Sequence, residues 1–155
     1  MNAKGLLVAV AVCFAADSAC LAANANMGRW ELESRKAQIK QGMAKSMTVT
    51  YAPSFPFRVK VTIEGVDAKG APFHNKWVGR FDGRDYPVSG DPNSDMRSYT
   101  KVDDHTLTFL MKKAGRVVAT GKIVVAPDGS MRTANAMAVN SKGKMVKSAA
   151  VCGLQ

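Results

Sequence analysis

The chain has 155 residues, 46% of them apolar, with 22 Lys and Arg against 12 Asp and Glu, a formal net charge of +10. This is the size of one domain with one adequate core, which excludes a multidomain machine. The positive excess suits polyanionic partners such as anionic lipid or acidic glycan, or a solvated surface; basic residues never run longer than two in succession and no base-stacking motif accompanies them, which argues against nucleic acid.

Met1 to Ala25 is laid out as a secretory signal. Lys4 supplies the positive region, Gly5 to Ala16 is an apolar run too short to span a bilayer, and Ala23-Asn24-Ala25 is a small-x-small cleavage site. The expected products are a signal peptide, 1–25, and a single exported domain, 26–155, periplasmic or secreted. No second long apolar segment follows, so no transmembrane segment is expected in the mature chain. Cys13 and Cys20 leave with the leader, and the remaining Cys152 cannot form an internal disulfide. It reads as a small apolar residue of the last strand. The net charge survives the cut, split as +4 before Lys101 and +6 from Lys101 onward.

From Met27 onward, short stretches rich in Val, Thr and aromatics alternate with Gly-containing turns. Met27 to Glu31 reads as a first strand and Ser34 to Lys45 as a polar connection. Ser46 to Ala52 places Met47, Val49 and Tyr51 on one face. Pro53 to Pro56 is expected to be a connection, because two prolines do not both fit a central strand. Phe57 to Gly65 groups Phe57, Val59, Val61 and Ile63. Ala71 to Phe81 groups Phe73, Asn75, Trp77, Gly79 and Phe81, after which Asp82-Gly83 reads as a hairpin. Arg84 to Ser89 is a short strand interrupted by Pro87, Gly90 to Ser94 a loop, and Asp95 to Lys101 and His105 to Lys112 the next strands. Arg116 to Ala126, Ser130 to Asn140 and Lys144 to Cys152 complete the pattern, with Val117, Ile123 and Val125 sharing a face.

About ten strands joined by short turns predict an all-β antiparallel up-and-down meander. Closure into a barrel is favoured, because it removes the two exposed edges of an open sheet. Gly28-Arg29-Trp30 opening the first strand, the block Asp82 to Val88, Gly90-Asp91-Pro92-Asn93 and Pro127-Asp128-Gly129 together resemble a group of small uncharacterised bacterial exported proteins of the lipocalin-like, calycin-type kind. The resemblance spans essentially the whole mature chain. It implies a lipocalin-like β-barrel and no particular activity or ligand.

Catalysis needs a nucleophile, a base and an orienting group together. His105 follows Asp103-Asp104 and Asp82 lies near Asp85, but turn chemistry explains both groupings. No nucleophile elbow, paired-histidine metal motif or phosphate loop occurs, so no catalytic residue is assigned and no cofactor is implied. Asp91-Pro92-Asn93-Ser94-Asp95 has the alternating oxygens of a calcium loop, yet Met96 stands where the sharp-turn glycine belongs and Val102 where the bidentate Glu belongs, so no metal site is assigned. A barrel of this size either fills with side chains or holds one small ligand. The face from Phe73 to Phe81 mixes aromatics with an amide and a gap at Gly79, which points to a small apolar or amphipathic ligand bound by Phe73, Trp77, Tyr86 and Tyr99. The competing reading is a basic envelope or surface protein contacting anionic lipid or glycan. An enzyme of unknown class stands third.

Overall fold

Side-chain alternation decides the architecture, because each strand has one apolar face that must be covered. The computed structural model describes residues 24–33, 44–140 and 142–155, and the expected leader up to Ala23, like most of the connection from Ser34 to Lys45, lies outside them. All ten expected strands form, each within two residues of its expected limits: β1 Gly28–Leu32, β2 Ser46–Ser54, β3 Arg58–Val66, β4 Pro72–Gly79, β5 Tyr86–Ser89, β6 Met96–Lys101, β7 Thr106–Lys113, β8 Arg116–Val125, β9 Met131–Val139 and β10 Met145–Leu154. Among the described residues there is no helix. Each strand pairs antiparallel with its sequence neighbours, and β1 pairs with β10 to close the barrel. The closing register is Trp30 opposite Leu154, Glu31 opposite Gly153 and Leu32 opposite Cys152.

The turns after β3, β5, β7 and β9 lie at one end of the barrel, here the upper end, and those after β2, β4, β6 and β8 at the lower end. Asn24 to Met27 lie against the lower end, where the Ala25 amide donates to the Asp104 carbonyl at 2.9 Å. Beside them the fully buried Trp30 indole donates to the Asn26 carbonyl at 2.9 Å. Trp30, Val59, Val61, Trp77, Leu107, Val125 and Cys152 form the lower core. Cys152 therefore occupies the small apolar position expected of it.

Four local expectations are corrected. Phe57 does not continue the inner face of β3. It sits in the turn with a left-handed backbone (φ 52°) and is 79% exposed. Pro53 lies inside β2 and not in a connection. It is tolerated because β1 pairs with β2 only from Thr48 to Tyr51, so beyond Tyr51 no β1 carbonyl awaits a donor. Asp82-Gly83 does not make a tight β4–β5 hairpin: the Gly83 amide bonds to the Tyr99 carbonyl and Asp82 bridges to Thr100, so the chain leaves β4 to meet β6 before turning back into β5. Val117 leaves the face of Ile123 and Val125. A register shift between Met111 and Lys112 sets it opposite Lys112 on the outside.

Candidate functional site

The interior divides in two. In the lower half, the ring of Trp77 stacks on Phe81 at 6.3 Å and meets Tyr86 and Tyr99 edge-on at 5.7 and 4.9 Å. This cluster explains Gly79. A Cβ there would stand 2.5 Å from Trp77 and 2.6 Å from Tyr86. The gap beside the aromatics is thus occupied by the aromatics themselves, which corrects its reading as ligand space; local alternation could not reveal this, because the ring of Tyr86 arrives from the next strand.

The upper half is hollow. A cavity of about 460 Å³ lies between β2, β3, β4, β6, β7, β8 and β9, within the range of small-molecule pockets. Its apolar wall comes from Met47, Val49, Ile63, Phe73, Phe109 and Met111, with Ile123 and Ala134 opposite. A neighbouring recess shares Pro92, Asn93, Phe109 and Met111 with it and continues along exposed Lys113, Val139 and Asn140, so it reads as a vestibule. On β9 the inward positions after Arg132 are the alanines Ala134, Ala136 and Ala138, small side chains that leave the upper half unfilled.

Two arginines face the cavity. Arg97 is 2% exposed and pairs with Asp91, Nη2 to Oδ2, at 3.1 Å. Asp91 also accepts from the Ser94 hydroxyl at 2.5 Å and the Asn93 amide at 2.8 Å, and the Trp77 indole donates to the Arg97 carbonyl at 2.8 Å. The Gly90–Asp95 loop thereby folds its first carboxylate onto the barrel wall, and Asp95 accepts from the Ala114 amide across the upper rim. Arg132 is 4% exposed and lies lower on the wall, where its Nη2 donates to the Tyr51 hydroxyl at 2.5 Å and its guanidinium sits 5.0 Å from the Tyr51 ring centre. The buried Nε atoms of both arginines have no partner among the described residues. Burial pushes the Tyr51 phenol well above its usual pKa, against the opposing pull of Arg132. Burial likewise raises the Cys152 thiol, which stands opposite Arg132 in the β9–β10 register.

Of the four residues expected to bind a ligand, Phe73 and Tyr99 stand on the cavity wall; Trp77 and Tyr86 lie below it in the packed cluster. The acids and the histidine weighed for catalysis stand elsewhere. Asp82 accepts from the Tyr86 hydroxyl, Asp85 pairs with Lys112, and the His105 amide donates to Asp103. Sequence reasoning weighed Asp91 only as a metal ligand and passed over Arg97 and Arg132. The signal was parity: Arg97 shares a strand face with Tyr99, and Arg132 with Ala134, so both had to point inward.

No family model matches the sequence, and comparison with curated proteins finds no match. Among solved structures, the chain is similar to a redesigned beta barrel, mFAP1, bound to DFHBI, with 16% identity, 86% of this chain and 98% of that chain covered, and a TM-score of 0.45. It is also similar to EF1p2_mFAP2b bound to DFHBI, with 12% identity, 84% and 94% coverage and a TM-score of 0.45.

Proposed function

We propose that this protein is an exported, non-enzymatic barrel that holds one small apolar or amphipathic molecule in its upper cavity. One observation carries the reading: the interior keeps about 460 Å³ between side chains that are mostly apolar, with a few polar groups converging on it. Phe73 and Tyr99 are the two expected ligand contacts that this reading retains. Binding is favoured over catalysis because the charged groups on the wall are already engaged or fixed in charge. Asp91 accepts three hydrogen bonds, Asp67 accepts from the Lys69 and Ala71 amides of its own turn, and the guanidiniums do not deprotonate.

The test is titration with Nile red, an uncharged apolar dye, of the native protein and an Ala134→Phe variant. Ala134 is on the wall, so the larger ring fills the cavity from its side. The expected result is saturable binding that weakens by about tenfold or more in the variant while the barrel's circular dichroism is kept. Equal affinity in both proteins, or none in the native one, contradicts the reading. Export is tested by intact mass. A chain beginning at Asn26 in the exported fraction is expected, and a full-length chain retained in the cytoplasm would refute it.

A further inference from the structure

We infer that Arg132 and Tyr51 form a receptor at the cavity floor for the carboxylate of a small amphiphile, whose apolar tail extends toward the upper end. This rests on the cavity reading above and adds the ligand's charge and its orientation.

The argument begins with an imbalance. Four charged side chains line the cavity: Arg97, Arg132, Asp67 and Asp91. Arg97 and Asp91 neutralise each other, with side chains 3% and 7% exposed. Asp67 sits in the β3–β4 turn at the upper rim, where one of its oxygens accepts from the Lys69 and Ala71 amides at 2.8 and 2.9 Å. Arg132 is left. Among the described residues no carboxylate comes within 4.0 Å of it, although it is as buried as a core residue. A buried cation without a counter-ion is held against its desolvation penalty, and an anion brought to it recovers part of that cost.

The geometry selects the kind of anion. A guanidinium presents parallel N–H donors that match a planar carboxylate, and the Arg132 Nη2 already donates to the Tyr51 hydroxyl at the cavity floor. The hydroxyl of Tyr51 adjoins the same guanidinium and keeps its proton in this buried setting, so it can donate as well as accept. Arg132 stands opposite Val125 and Cys152 in the lower core, whereas Met47, Ile63, Phe73 and Met111 wall the space above. A head at Arg132 therefore places the tail among apolar side chains. The reverse orientation would leave Arg132 unpaired and set the head beside Asp67.

Calorimetric titration with decanoate and with decanol at neutral pH tests this, since the two share a tail and differ in charge. The native protein is expected to bind decanoate at least about tenfold more tightly, the value of hydrogen bonds to a charged group. In Arg132→Met, which keeps length without charge, that preference is expected to vanish while decanol still binds. Tyr51→Phe keeps the ring and is expected to reduce the preference severalfold, which serves if R132M does not fold. Equal binding of acid and alcohol by the native protein overturns the carboxylate receptor and leaves the cavity reading standing. Binding of neither overturns both. A decanoate preference undiminished in R132M, or in Y51F if R132M does not fold, assigns the anion to the basic surface and overturns the inference.

Discussion

Tyr51 shows how a single side chain inherits its chemistry from its place in the pleat. It is 2% exposed, meets the rings of Phe81 and Tyr99 edge-on, each at 6.3 Å, and lies under the Arg132 guanidinium. Its phenol is held neutral chiefly by burial, with Arg132 acting in the opposite direction. A raised native pKa gives the sign of the pH effect: the unfolded chain releases this proton near the ordinary value of about 10, and the native chain does not. Stability is therefore full below about pH 10 and is lost above it, by about 1.4 kcal/mol per pH unit from this one group. Tyrosinate absorbance against pH is expected to show one phenol that ionises only as the barrel unfolds, and Tyr51→Phe should remove that late step. Ionisation of every tyrosine in the still-folded protein would contradict the assignment.

Elements were the most legible scale, and their limits mark where neighbours take over. The inward faces Met47-Val49-Tyr51 on β2 and Phe73 to Gly79 on β4 were readable because alternation depends on one strand alone. What alternation could not supply was which side chain from the adjoining strand fills a gap. Gly79 looked like room for a ligand and proves to be room for Trp77 and Tyr86. Gly121 behaves the same way, since a Cβ there would stand 2.5 Å from the Phe109 ring and 2.3 Å from the Asn135 carbonyl. Val117 was misplaced by a bulge, a two-strand property invisible in either strand's letters. Gly90 to Ser94 was read as a loop and is one, yet the ion pair of its Asp91 with Arg97 depends on β6 delivering that arginine six residues later. The candidate site was thus half legible. Its aromatic wall followed from pattern, whereas its charged floor needed the pairing of strands distant in sequence, with Tyr51 on β2 and Arg132 on β9.

At the scale of the whole molecule, closure leaves the all-β chain no exposed sheet edge. Every strand has two partners, and even the four-residue β5 bridges β4 and β6. The same closure creates an inside, and the distribution of side-chain volume along the barrel decides what that inside becomes. Trp30, Trp77, Leu107 and Tyr99 fill the lower half, whereas alanines on β9 leave the upper half open. The central claim is that this open half receives a ligand. It is tested most directly by methyl NMR of the methionines during titration with decanol. Met47 and Met111 face the cavity, while Met137 and Met145 are 40% and 53% exposed on the outside. The account predicts saturable one-to-one shifts of the Met47 and Met111 signals with Met137 and Met145 unmoved. Shifts confined to Met137 and Met145, or no shifts at saturating decanol, would contradict it.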